Sequence, residues 1–510
     1  MATVKIENFG GIAPRQHPTL LADGMATVAM NVKLDNGKLV PLREPSDVEG
    51  ADYFLEGKLS AAGDSKSMHV WRRGDGAFDF LCFPGMTWAA RGNVADDGYT
   101  RLIVSGDITG NGTTNQPRIY LRESGRAAYV YIRRAALPWV AVYRRKSNVQ
   151  QNEDDSEYGP PASGTVRYTR FVVTWVDDYG RESPISATSR HRISDGATGD
   201  EDLAYLDGES IYFELQKTEA TDKKLALAKS LRIYMVVTGS SEGRFQFLAE
   251  VSKATATTNT VLHNQSPSTP TTTWYRFLLA VSEADAGEEL SPVENAPVDL
   301  TCIRNVPGSF YCGFSASNPK TVCFSDIDMF YNWPIDYRYD IPDNIVALAV
   351  TSNTVFALTD GWPYALSGTA PESMTVAKLA SPAACVSSRG VCVYKNAVFY
   401  ASNIGMMAIA NSATEGTIVQ NVTDQMFTSD QWRALNPETC LLGHHKGRLY
   451  AHFPDAADAK MRGLVFNFAE GLSVALTQYD ERVQCLCVDD ATDKMYVTRY
   501  AGADEGEEEA

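Results

Sequence analysis

Helix signals are nearly absent from this chain of 510 residues. Only the run Asp222 to Ser230, rich in Ala, Leu and Lys, has a helical composition, and it is short. No stretch approaches the 18 apolar residues that a membrane-spanning helix needs, so no membrane anchor is expected. The opening MATVKIENFGG lacks a basic segment followed by an apolar run, so no secretory leader is expected and synthesis is placed in a cytoplasm. A basic stripe is missing as well. Lys and Arg number 46 against 63 Asp and Glu, for a formal net charge of −17 and a pI near 4.9. A protein that grips DNA needs clustered cations to displace phosphate counterions. The longest groupings here, Arg133-Arg134 and Arg144-Arg145-Lys146, read as the ends of strands. The acidic excess suits solubility, and it also suits a channel wall past which DNA slides without sticking.

The usual marks of chemistry are missing too. There is no GxxxxGK[ST], no GxGxxG after a strand, no HExxH and no GxSxG. The nine cysteines are odd in number, irregularly spaced and without a CxxC pair, unlike a disulfide framework. Cys485 and Cys487 lie two apart on an expected strand and so share one face. With His444 and His445 upstream they could hold a metal, but buried thiols acting as small hydrophobes are the simpler reading. There are seven histidines, and the only local group is His444, His445 and His452. On one strand His444 and His452 would stand roughly 27 Å apart, and only a hairpin could bring them closer.

Carboxylate pairs of the glycosidase kind are too easily found among 63 acids to single any out. Thr359-Asp360-Gly361-Trp362 carries only a fragment of an Asp-box and reads as a turn before an aromatic strand. Arg73-Gly74-Asp75 reads as a surface hairpin turn. Asp107 to Thr114 resembles a loose calcium loop but lacks the closing Glu, and reads as a Gly/Asn turn. No catalytic, cofactor-binding or metal-binding residue is assigned, and neither enzymatic activity nor a cofactor is expected.

What the chain does have is strands. Short β-branched or aromatic runs alternate with Gly, Asn, Asp and Ser turns along most of its length, the all-β pattern. In the C-terminal 200 residues the pattern repeats. GSFYCG from Gly308, NTVFAL from Asn353, NAVFYA from Asn396, GRLYAH from Gly447 and DKMYVT from Asp493 begin 45, 43, 51 and 46 residues apart. Each carries an aromatic at its fourth position: Tyr311, Phe356, Phe399, Tyr450 and Tyr496. A period in the forties on strand-rich sequence marks propeller blades of about four strands each. GAFDFL from Gly76 and the strands within 100–122 supply further blade material, so six to eight blades are expected, closed into a ring by N-terminal strands.

Residues 151–290 break the period. After a polar linker, RYTRFVVTWVDDYGRESPIS (Arg167 to Ser186) alternates apolar and polar residues, turns at Asp177-Asp178-Tyr179-Gly180 and restarts after Ser183-Pro184. Six or seven short strands here suit a fibronectin/Ig-like β-sandwich. The expected layout is a partly extended N-terminal arm over 1–50, a first propeller segment over 51–150, the inserted sandwich with its linkers over 151–290, a second propeller segment over 291–502, and a disordered acidic tail over 503–510.

Three segments resemble a known group of phage proteins. The opening ENFGGIAPRQHPTLLADGMATVAMNVKLDNGKLVPLREPSDV is similar to the start of phage tail proteins at Gly10-Gly11-Ile12, Pro14-Arg15, Leu21, Ala22, Ala29, Asn31, Leu34, Gly37, Leu39, Pro41 and Arg43. FVVTWVDDYGRESPIS, with the strand pair LRIYMVVTGSSEGRFQFLAEV, resembles their sandwich insert. Glu288 to Asp326, followed by Tyr331-Asn332-Trp333-Pro334, resembles the return into their propeller. The family is that of the tail nozzle, or tail-tube-like, proteins of short-tailed bacteriophages. The resemblance implies a structural virion protein in the tail, made in the host bacterial cytoplasm. It implies a homohexameric ring below a portal and adaptor, with fibres or tip proteins as neighbours and viral DNA passing through without specific binding. A receptor-binding or lectin-like propeller at the tail tip, and a propeller glycosidase, are the alternative expectations.

Overall fold

The computed structural model describes residues 9–499, apart from 36–37, 44, 73–76, 93–99, 124–125, 147–154, 196, 238–243, 264–271, 353, 413–415 and 469–473. The Arg73-Gly74-Asp75 turn and the acidic tail lie outside the described residues. The chain divides into two units: residues 1–133 with 296–510, and residues 134–295.

The first unit is a β-propeller. Seven inner strands follow one another around a ring among the described residues: Ser67–Arg72, Thr87–Arg91, Leu300–Val306, Ile345–Thr351, Val391–Tyr394, Leu441–His445 and Val483–Asp489. The last packs beside the first, which closes the circle. From each inner strand a sheet runs outward, and we number the blades 1 to 7 in chain order. Blades 2 to 6 are four-stranded antiparallel meanders. Among the described residues blade 1 has three strands, its outermost (Tyr53–Leu55) parallel to the middle one (Phe78–Phe83), and blade 7 is the hairpin Val483–Asp489 with Lys494–Arg499.

The five marked aromatics occupy equivalent places. Tyr311, Phe356, Phe399, Tyr450 and Tyr496 all sit on the second strand of their blade, paired with Asn305, Ala349, Cys392, Gly443 and Cys487 of the inner strand. The repeat is visible in sequence because each hairpin between first and second strand needs a turn residue, followed by an alternating apolar strand. The core is distributed between blades. Met68, Val70, Phe80 and Cys82 of blade 1 pack on Cys485 and Cys487 of blade 7. Trp71, Leu81 and Phe83 meet Leu102, Val104 and Tyr120 across blades 1 and 2, and similar clusters follow between blades 3 and 4, 4 and 5, and 5 and 6.

The N-terminal arm packs on its own chain. Ile12 and Ala29 enter the core shared by blades 5 and 6. Asn31 N donates to Gln478 O at 2.8 Å and Gln478 N to Ala29 O at 2.9 Å, so the arm runs along the outer strand of blade 6 (Val474–Tyr479).

The second unit is a β-sandwich. One sheet has the strand order Ala197–Gly199, Arg190–Ser194, Ala141–Arg145, Glu209–Gln216, Thr272–Val281, Asn259–His263. It faces the sheet of Phe171–Asp177, Ala228–Val236 and Phe245–Ser252, together with the pair Val166–Thr169 and Leu203–Leu206. Phe171, Val173 and Trp175 interleave with Ile211, Phe213, Leu215, Leu231, Ile233 and Met235. The helix expected over Asp222 to Ser230 is found three residues earlier, at Glu219–Leu227, capped by the Thr218 side chain accepting from Thr221 N, and Ala228 to Ser230 instead open the strand Ala228–Val236. The expected first boundary moves. Ala141–Arg145, placed by sequence in the first propeller segment, pairs with Glu209–Gln216 and belongs to the sandwich. The polar run that reads as an interdomain linker follows this strand and does not precede the unit.

Candidate functional site

Each inner strand contributes side chains to the space at the propeller's centre. This cavity of about 630 Å³ is lined by residues from all seven blades. The apolar part of the lining includes Met68, Val70, Leu102, Leu348, Val391 and Leu486. The charged part, among the described residues, is Lys66, Arg91, Arg304 and Arg389 against Asp490, with His69 and His444 nearby. Thus the charged part of the lining, at the centre of an acidic protein, is mainly cationic.

Most of these groups are held by neighbours. Arg91 pairs with Asp489 at 3.2 Å. Arg389 Nη1 lies 3.3 Å from Gln484 O and 3.4 Å from Lys66 O. His444 bridges Asp493 at 2.9 Å and Asp490 at 3.2 Å, and Asp490 is the first reason its pKa stands above the ordinary value. His69 shares a hydrogen bond of 2.9 Å with Thr87 Oγ1. Burial first, and then the charge of Arg304, push its pKa down to about 3, so the ring is neutral. Arg304 gives its Nε to Leu348 O of blade 4 at 3.0 Å. Among the described residues no carboxylate pairs with it.

The residues singled out from sequence fall elsewhere. Cys485 and Cys487 do share a face, and both thiols are buried between blades 7 and 1, with Cys485 pushed up to about 11 by burial. Among the described residues no group of His, Cys, Asp and Glu is disposed to hold a metal. The hairpin does not unite His444 with His452. His452 lies opposite Leu441, buried, with its ring on Tyr479 OH at 3.0 Å. The Asp107 carboxylate closes its own loop, accepting from Asn111 N at 3.1 Å and Gly112 N at 2.9 Å. Asp360 accepts from Asn344 N at 3.0 Å and Nδ2 at 2.8 Å, which fixes the turn before the third strand of blade 4. Arg144 pairs with Glu209 at 2.7 Å, and Arg145 with Asp155 at 2.8 Å, so that basic run is consumed within the sandwich.

The channel lining escapes a search for local patterns because each blade gives only one to a few residues. A signal for it exists nonetheless. Asn305, Val350, Val393, His444 and Asp490 each stand six residues before a marked aromatic, and all five line the cavity.

No protein-family model matches this sequence. No curated protein matches it either. Among solved structures, the chain is similar to apo AztD from Citrobacter koseri, at 12% identity over 65% of this chain and 76% of that one, with a TM-score of 0.27. It is also similar to Hsv2p of Kluyveromyces lactis, at 8% identity over 40% and 57% of the two chains and a TM-score of 0.26, and to the N-terminal domain of Nup159, at 10% identity over 48% and 58% and a TM-score of 0.24.

Proposed function

We propose that this chain is a structural component of a bacteriophage tail, a nozzle subunit whose ring-shaped assembly, six-fold in the reading favoured here, conducts the genome during ejection. The observation that supports it is that the three segments resembling such proteins coincide with three distinct elements of the fold. The Gly10 to Arg43 stretch is the arm that runs along blade 6. FVVTWVD is the buried sandwich strand Phe171–Asp177, and its resembling partner segment supplies most of Ala228–Val236 and Phe245–Ser252. Glu288 to Asp326 leads from the sandwich into the first three strands of blade 3. In this reading the neighbours are portal-side adaptor proteins and fibre or tip proteins, the location is the virion, and DNA passes without specific binding.

The test is imaging of the purified full-length chain beside virions, with sedimentation to count subunits. Closed rings with an axial passage, and labelling of the tail by antibody to this chain, are expected. A chain that stays monomeric and is absent from virions removes the reading. A monomer that binds host polysaccharide moves it to the receptor-binding alternative.

A further inference from the structure

We propose that the centre of the propeller is an anion site, in which the guanidinium of Arg304 takes the phosphate or carboxylate group of a small ligand. The proposal stands independently of the tail reading. Four observations lead to it.

The first is space: about 630 Å³, within the range of small-molecule pockets, with both apolar walls and convergent polar groups. The second is charge. Four cationic residues against one carboxylate line the cavity among the described residues, in a chain whose net charge is −17. Composition alone would make this surface acidic, so the local reversal needs a cause.

The third observation is partnering. Arg91 is paired with Asp489 and Asp490 is engaged by His444, whereas Arg304 is half-buried with, among the described residues, only a backbone carbonyl on its Nε. Its two terminal nitrogens form the planar fork that matches a carboxylate or phosphate edge. A partly buried cation without a counter-charge is costly, and a bound anion offsets that cost. The fourth is position. Arg304 projects from blade 3, yet its charge is felt at His69 on blade 1 and at Cys392 on blade 5. Arg304 lines the same cavity as residues of all seven blades, where a ligand entering it would meet the guanidinium.

The experiment is isothermal titration calorimetry on the full-length chain, dialysed free of both anions, with sodium phosphate and separately with citrate. Saturable binding of at least one anion, at one site per chain, is expected. Phosphate alone assigns a phosphorylated ligand, citrate alone a carboxylated one, and both assign the shared oxyanion chemistry. Arg304→Met should weaken binding by about tenfold or more, the loss typical of a charged hydrogen-bonded pair. Arg433→Ala removes the same charge from an exposed site and should leave affinity unchanged. If Arg304→Met fails to fold, Arg304→Lys keeps the charge without the fork and should bind several-fold more weakly. Absence of saturable binding by either anion overturns the proposal. So does affinity in the Arg304 variant equal to that of the Arg433→Ala control.

Discussion

Asp489, the last residue of the blade 7 inner strand, accepts Nε of Arg72 on blade 1 at 3.2 Å, across 417 positions of sequence. A second Arg72 nitrogen meets the other oxygen, and Arg91 of blade 2 adds a contact at 3.2 Å. One carboxylate therefore ties the last blade to the first two. Its side chain is fully buried, while Arg72 and Arg91 keep 25% and 47% of theirs exposed. Asp489→Asn should cost on the order of 2 kcal/mol, less than a wholly buried pair, because the guanidinium groups remain partly solvated.

The same clasp makes a pH prediction. Burial by itself would raise the Asp489 pKa, but Thr492, Arg72 and Arg91 outweigh it and hold the carboxyl below its ordinary value. A group with a depressed folded pKa contributes stability above its unfolded value, about 3.9 for Asp, and loses it as pH falls through the folded value. The stability difference between wild type and Asp489→Asn should be full at neutral pH and shrink below about pH 4. Urea denaturation across that range measures it, and a pH-independent difference would count against the clasp.

Thiol reactivity gives a second view of ring closure. All nine cysteines are buried, and burial raises the pKa of Cys82 and Cys485 to about 12 and about 11. Reaction needs the thiolate, so native thiols should be slow toward alkylating reagents. Cys82, Cys485 and Cys487 share the seam between blades 1 and 7. Asp489→Asn should accelerate labelling of these three while Cys385 and Cys440, on other seams, stay protected. Mass spectrometry of the alkylated sites decides it.

Within the sandwich, Glu214 is buried among Arg192 at 2.5 Å, Tyr143 OH at 2.7 Å and His263 at 2.9 Å. Arg192 is 1% exposed and Glu214 0%. Glu214→Gln removes the counter-charge from a buried guanidinium and should cost roughly 3–5 kcal/mol. Burial lowers the His263 pKa, but hydrogen bonds to Glu214 and Asp195 outweigh it, and the net shift is upward. A raised folded pKa gives stability that is complete below the unfolded value, about 6.5 for His, and is lost as pH rises through the folded one. Hydrogen exchange in Glu209–Gln216 should therefore show less protection at about pH 8 than at about pH 6 once intrinsic rates are removed. In His263→Gln this difference should vanish.

How much of this was legible in the sequence depended on whether the constraint was local. The second strand of blades 3 to 7 showed through because one turn and one aromatic recur within each hairpin. Trp175 and Phe213 were legible as core because their strands alternate, and they are 3% and 0% exposed. The strand Ala141–Arg145 was misassigned because nothing in AVYRR distinguishes a blade strand from a sandwich strand; its pairing with Glu209–Gln216 does. The short helix Ser429–Ala434 was missed, although Thr428 and Gln431 form a capping box around it, because it has no apolar period: of its six residues only Trp432 is buried, with its Nε1 on Ser402 O at 2.8 Å. The channel was hidden because Arg304 and Asp490 meet one cavity only after the ring has closed.

The last prediction concerns the arm. Gly11 adopts φ +108°, a conformation that side chains resist. A Cβ there would stand 2.7 Å from Leu476 N and 3.1 Å from Leu476 O, both backbone atoms of blade 6 that have little freedom to yield. Next to it, Ile12 is 0% exposed in the core of blades 5 and 6. Gly11→Ala therefore combines backbone strain with a steric clash, and should release the arm at a cost of about 1–3 kcal/mol. The seven inner strands do not include the arm, so the propeller should stay folded. Limited proteolysis should find a new cut near Arg15, whose backbone N–H bonds Met426 O at 2.9 Å in the docked arm. Ile12→Ala is the comparison, since it empties part of the core without obstructing the backbone path. Equal protection of Arg15 in Gly11→Ala and wild type would mean that the outer strand of blade 6 moves aside, and that close backbone approach is not what fixes the arm.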